Sequence, residues 1–265
     1  MTSPVTFTTL QAQKSVNQPF SMVTAYDFPF AQCADKAGID VLLVGDSLGN
    51  VVLGYSNTLD VTLADMCHHV GAVSRAAKRA MVLADLPYLA HQHDANLARE
   101  SALTLKKAGA DAIKCEVTLD HSDYVSGLWD LGIPIVAHLG FTPQSVEELG
   151  GYKVQGRDPE SAAAILELAL RMEQDGASAI LIEMVPATLG AEISRRLQIP
   201  VIGIGAGPDC DGQVLVGHDI LGFSGSFSPR FVKKFGQVDQ AIEAAFTSFK
   251  DAVSSRNFPS QEHSF

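Results

Sequence analysis

Eight short apolar runs, each followed by a helical stretch or a long loop, decide what this chain can fold into. They are Ser21–Tyr26, the start of Val41–Gly49, Ala80–Pro87, Ala112–Val117, Ile133–Leu139, Ala179–Val185, Pro200–Gly207 and a weaker one within Gln213–His218, ending near Asp219. Helical spacing marks Phe30–Ala37, Leu63–Ala77, Asp94–Ala108, a region around Tyr124–Leu131, Pro159–Gln174, Ala187–Leu197 and Val238–Ala252. Runs that are apolar on both faces belong to parallel strands covered by helices. Eight such units in 265 residues, with no obvious repeat, predict an α/β fold, a (β/α)8 TIM barrel. The expected layout is one barrel domain over residues 1–265, with a short N-terminal extension and a C-terminal helical tail. The competitor is a doubly wound open sheet, which announces its ligand site by one glycine fingerprint after the first strand. Here polar residues follow many strands instead.

The second run shows the pattern best. Val41-Leu42-Leu43-Val44 ends in Gly45-Asp46-Ser47-Leu48-Gly49, placing a carboxylate just past a buried strand. An ionised group near a core costs several kcal/mol unless it is paired. Taken alone, Asp46 reads equally as the cap of a following helix. The pattern recurs, however, with Asp85, Glu116 and Glu183 at or near the ends of strands three, four and six. In a barrel these ends converge on the face that carries catalysis. Carboxylates gathered there repel one another, and a divalent metal offsets them; oxygen ligands suit Mg²⁺ before Zn²⁺.

Other residues stay open between two readings. Lys114 lies two residues before Glu116, on the same side of the strand, either ion-paired to a carboxylate or facing an anionic substrate. Ser47 is a helix cap or a donor to that anion. His138 hydrogen-bonds a ligand carbonyl or is a satisfied core histidine, whereas His68 and His69 read as structural. Gly203–Gly207 binds phosphate or makes room in the barrel mouth. The glycine-rich segment between Gly140 and Arg157 is a lid, a binding loop or a surface loop.

The net charge of −11 argues against nucleic acid as a partner. Four scattered cysteines read as reduced thiols. The first residues lack the pattern of a signal peptide, and no apolar run reaches membrane-spanning length, so the expected location is the cytoplasm with no membrane contact.

Several motifs carry a family resemblance. They are Val44–Gly49, Ala84-Asp85-Leu86-Pro87, Lys114-Cys115-Glu116, Ala137–Gln144, Gly150-Gly151-Tyr152-Lys153-Val154-Gln155-Gly156-Arg157, Pro200–Gly207 and the ending Glu262-His263-Ser264-Phe265. In order, and over nearly the whole chain, they resemble the ketopantoate hydroxymethyltransferase (3-methyl-2-oxobutanoate hydroxymethyltransferase) family. The Gly-Tyr-Lys-Val-Gln-Gly-Arg run is the most specific; Gly-Asp-Ser-Leu-Gly is shared with relatives acting on phosphoenolpyruvate and pyruvate. The resemblance implies a barrel enzyme that makes ketopantoate, a pantothenate precursor, from the keto acid 3-methyl-2-oxobutanoate and 5,10-methylenetetrahydrofolate through a Mg-stabilised enolate. It implies that Asp46, Asp85 and Glu116 hold Mg²⁺. Ser47 and Lys114, with Asp46 and Asp85, would contact the keto acid, and Glu183 would be the general base. It further implies a homo-oligomer, a homodecamer of two pentameric rings. The alternatives are a C–C or C–P bond lyase or mutase of the phosphoenolpyruvate/pyruvate barrel superfamily and a non-catalytic metabolite-binding barrel. The Lys-Lys-Cys-Gly-His run of isocitrate-cleaving relatives is absent, and a pure binding module has no need of a base.

Overall fold

The apolar runs become eight parallel strands that close on themselves in sequence order, the last beside the first. The structure, a computed structural model, describes residues 3–92, 94–118, 127–223 and 229–265. The chain divides into two compact units, Met1–Val216 and Gly217–Phe265.

The first unit is the barrel. Its strands are β1 (Phe20–Thr24), β2 (Val41–Val44), β3 (Met81–Asp85), β4 (Ala112–Glu116), β5 (Ile135–Gly140), β6 (Ala179–Glu183), β7 (Val201–Ile204) and β8 (Gly212–Leu215). Helices α1 (Phe7–Ser15), α2 (Phe28–Lys36), α3 (Leu48–Val51), α4 (Leu63–Ala76), α5 (Ala95–Ala108), α6 (Pro159–Gln174) and α7 (Ala187–Arg196) accompany them. Local chemistry starts the helices: Thr6 and Thr62 each close a capping box, and the carboxylates of Asp27, Asp94 and Asp158 accept first-turn N–H groups. Of the helix expected around Tyr124–Leu131, residues 124–126 lie outside the described residues, and residues 127–129 are helical.

Side-chain parity sorts each strand into an inner and an outer set. Phe20 and Met22, Val41 and Leu43, Met81 and Leu83, Ala112, Val136, Ala179 and Leu181, Ile202 and Val214 form one buried cluster inside the barrel. Leu10 of α1 is buried in the same cluster, so the N-terminal helix closes the core from its own side. Counting on by two along the strands from these inner residues reaches Asp85, Lys114, Glu116, His138 and Glu183. The fold therefore stacks a polar layer on an apolar one, and puts the polar layer at the C-terminal ends of the strands.

Two sequence expectations shift. Strand eight ends at Leu215, and Asp219 falls in the short helix α8 (Gly217–Ile220) rather than at a strand end. The reason is register: β8 pairs with Phe20–Val23 only over Gly212–Leu215. The glycines near β7 are filled by protein. A Cβ on Gly203 would stand 2.8 Å from Cys210 Sγ, and one on Gly207 would press on Ala187, which favours the room-making reading.

The second unit contains α8 and α9 (Val238–Ser254). The N–H groups of Phe235 and Gly236 both donate to the carbonyl of Ile220, and no residue of α9 is buried. Among the described residues, no helix is long and apolar enough to cross a membrane. All four cysteines are free.

Gly140 ends β5 opposite Glu183, with φ at 88°, in the left-handed region. A Cβ there would collide with the Glu183 carbonyl oxygen and stand 3.0 Å from Val185 Cγ1. Gly140→Ala is expected to destabilise the protein by about 2 kcal/mol or more, from the φ penalty plus the displaced end of β6. Urea denaturation checks this, and a variant as stable as the parent would mean that β6 yields freely.

Candidate active site

The inner polar layer is tightly connected. Lys114 Nζ lies 2.7 Å from Asp85 Oδ1 and 3.2 Å from His138 Nδ1. His138 Nε2 in turn lies 3.1 Å from Glu183 Oε2, and its Nδ1 is 3.7 Å from Glu116 Oε1. From β2, the Asp46 N–H donates to Asp85 Oδ2 at 3.1 Å. Gln144 bridges the rest: its Nε2 donates to Asp46 Oδ2 at 2.8 Å, and its N–H donates to Glu116 Oε2 at 2.9 Å. Asp46, Asp85, Glu116, Glu183 and Lys114 thus belong to one network drawn from four strand ends. Ser47 touches it through its backbone, which hydrogen-bonds the Asp46 carboxylate.

The cap readings are not realised. Ser47 occupies the N-cap position of α3 but makes no side-chain cap bond. Its Oγ sits 2.8 Å from the hydroxyl of the buried Tyr26. The Asp46 carboxylate is taken by Gln144 and Thr58, with a backbone contact to Ser47. The ion-pair reading of Lys114 is realised, with Asp85 as its partner. His69 is structural as expected, its Nδ1 lying 2.6 Å from the Tyr26 carbonyl oxygen.

Electrostatics follow from burial. Desolvation pushes the Asp46 carboxyl up, and Glu116 well up, each against the pull of Lys114. Burial raises Asp85 to about 7, opposed by Lys114 and reinforced by Asp46. Glu183 rises to about 8, again chiefly through burial. For Lys114 burial works downward, but the carboxylates of Asp85, Glu116 and Asp46 together outweigh it and keep the ammonium charged. Burial, and then Lys114, hold His138 well below the usual histidine range, so the ring is neutral. An ammonium only donates, so Nδ1 accepts from Lys114 and the ring proton sits on Nε2, which lies 3.1 Å from Glu183 Oε2 without a well-directed hydrogen bond to it. Glu183 keeps 14% of its side chain exposed, against 4% for Asp85 and for Glu116. It is the most open of these three acids.

The donor set meets some of the demands of Mg²⁺. In kind it fits: Asp46, Asp85 and Glu116 offer hard oxygens, and no cysteine competes among the network's members. Asp85 Oδ1 is a buried oxygen with no well-directed hydrogen bond, despite its ion pair to Lys114. In charge it also fits, since four carboxylates face one ammonium. In arrangement the set is not closed. Among the described residues, no three His, Cys, Asp or Glu side chains stand gathered around one point.

The ketopantoate hydroxymethyltransferase family model matches residues 4–261. The chain belongs to that family. Relatives named 3-methyl-2-oxobutanoate hydroxymethyltransferase agree. The one from Bacillus licheniformis is 49% identical over 95% of this chain and 91% of its own length. The one from Chromohalobacter salexigens is 47% identical over 98% of this chain and 99% of its own. Among solved structures, a phosphonopyruvate hydrolase complexed with oxalate and Mg²⁺ superposes with a TM-score of 0.64 at 13% identity, covering 98% of this chain and 93% of that one. A 2,3-dimethylmalate lyase does so with a TM-score of 0.60 at 14% identity, covering 98% and 91%. At such identities these last two speak to the barrel fold alone.

Within this ketopantoate hydroxymethyltransferase framework, two site contributors escaped the site reading of the sequence. Tyr26, just past β1, holds Ser47, and Gln144, just past β5, holds Asp46 and the Glu116 side chain. Their residue types are unremarkable in sequence, and only their place just beyond a strand end was a signal.

Proposed function

We propose that this protein transfers the one-carbon unit of 5,10-methylenetetrahydrofolate to 3-methyl-2-oxobutanoate, giving 2-dehydropantoate (ketopantoate), with Mg²⁺ as its metal. The observation that carries this reading is Glu183. It is a carboxylate raised to about 8 by burial, more open than its acidic neighbours and joined through His138 to the only ammonium of the network. Family membership supports the choice of substrates.

Asp46, Asp85 and Glu116 would hold the ion. Bound Mg²⁺ supplies positive charge that favours the enolate form of a 2-keto acid. Lys114, kept charged by its acidic neighbours, attracts the substrate carboxylate. Ser47, oriented by Tyr26, offers a hydroxyl to the same anion. Glu183 removes the proton from C3, a task suited to a base whose pKa lies near neutrality. His138 Nε2 lies beside that carboxylate, 3.1 Å from its Oε2. The electron pair left at C3 forms the new C–C bond to the one-carbon unit, and the carbon–nitrogen bonds of the folate break with their electrons passing to nitrogen. Water supplies the hydroxyl oxygen, so keto acid, methylenetetrahydrofolate and water give ketopantoate and tetrahydrofolate. The reading includes a cytoplasmic homodecamer, for which the family alone is the support.

The test is an assay of purified protein with Mg²⁺. Keto acid alone in deuterated water should lose its C3 hydrogen, and addition of methylenetetrahydrofolate should yield ketopantoate. Exchange without product would shift the reading to another enolate-forming reaction. Neither exchange nor product would overturn it.

A further inference from the structure

Gln144 stands where the ends of β2, β3 and β4 meet, in a short 3₁₀ turn, Pro143–Ser145, that follows β5. It is buried, at 6% exposure. Its N–H donates to Glu116 Oε2 at 2.9 Å, and its Nε2 donates to Asp46 Oδ2 at 2.8 Å and to the Leu86 carbonyl at 3.0 Å. Its Oε1 accepts from Gln92 Nε2 at 2.6 Å. The carbonyl of Leu86 only accepts and the Gln92 amide nitrogen only donates, so the orientation of the Gln144 amide is forced.

The Gln144 side chain gives one amide donor to the Asp46 carboxylate and the other to the Leu86 carbonyl, while its main-chain N–H holds the Glu116 carboxylate, which comes from a different strand. A carboxylate that holds a metal needs a partner to orient it, and such partners matter nearly as much as the ligands. We infer that Gln144 is a positioning residue of the cation site, fixing the Asp46 and Glu116 carboxylates relative to each other through one donor to each. The inference rests on the Mg²⁺ reading given above. Gln92 stands one step further out and holds the Gln144 amide.

Mn²⁺ binding, followed by the electron paramagnetic resonance signal of the free ion, tests this without any turnover. Gln144→Met preserves length and bulk, keeps the backbone N–H and removes the amide. Its Mn²⁺ dissociation constant is expected to rise roughly 10- to 100-fold. Gln92→Met leaves the contacts to the carboxylates but releases the amide, and should weaken Mn²⁺ binding in the same direction by a smaller factor. Circular dichroism melting establishes that each variant is folded at the temperature of measurement. A Gln144→Met protein with a lower melting temperature and parental Mn²⁺ affinity would show a purely structural role and overturn the inference. Should that variant not fold, parental affinity in Gln92→Met would overturn it. A parent protein that does not bind Mn²⁺ would remove the metal reading and this inference together, whereas parental binding with an unaltered variant removes the inference alone.

Discussion

Glu183→Gln is expected to lower the exchange of the C3 hydrogen of 3-methyl-2-oxobutanoate with deuterated water by roughly 10²- to 10⁴-fold, the usual contribution of a positioned base. Binding of the keto acid should stay within a few-fold of the parent. The substitution keeps the shape of the side chain. It removes only the ability to take a proton. Proton nuclear magnetic resonance of the substrate reads the exchange directly, and calorimetry reads the binding. Parental exchange rates in the variant would strip Glu183 of the role and turn attention to His138, its neighbour at 3.1 Å.

Lys114→Met should have the largest effect on stability. The ammonium is the single positive charge among Asp46, Asp85, Glu116 and Glu183, and it is 6% exposed. Taking one partner from a buried ion pair typically costs about 3–5 kcal/mol, because the remaining charge is left uncompensated. The loss must depend on pH. In the parent, the Asp85 and Glu183 carboxyls sit at about 7 and about 8, above their unfolded values. A group raised in this way contributes stability that is complete below its unfolded pKa and is lost as pH rises through the folded one. The metal-free parent should therefore weaken between about pH 4 and pH 8, and Lys114→Met should weaken more steeply over that range. Denaturant titrations at pH 5 and pH 8 separate the two proteins. An equal loss at both pH values would mean that packing, rather than charge, accounts for it.

Much of this is legible in the sequence, and the reason is periodicity. The two-residue spacing of Lys114 and Glu116 was enough to place both on one side of β4, and both now lie in the inner layer. Helix starts at Thr62 and Asp158 depend on contacts within three residues, so they were visible or inferable from local chemistry. Gln144 was not, because its Asp46 partner lies 98 residues away. The same holds for Tyr26, whose hydroxyl lies 2.8 Å from Ser47 Oγ, while Ser47 makes no side-chain cap bond. Asp219 was misplaced because a strand's end is decided by its neighbour's register, which the sequence of β8 alone does not contain. Residues 124–126 of the helix expected around Tyr124 lie outside the described residues.

The seam between β1 and β8 reaches beyond the finished molecule. Phe20 pairs with Gly212, so the cylinder cannot seal until almost the whole barrel sequence has left the ribosome. Until then the nascent polypeptide exposes unsatisfied strand edges at its first and latest strands, the condition in which sheets recruit the wrong partner. A truncated transcript, or a pause before residue 212, leaves a sticky open ribbon in place of a partial enzyme, and such a product is a natural client for chaperones and proteases.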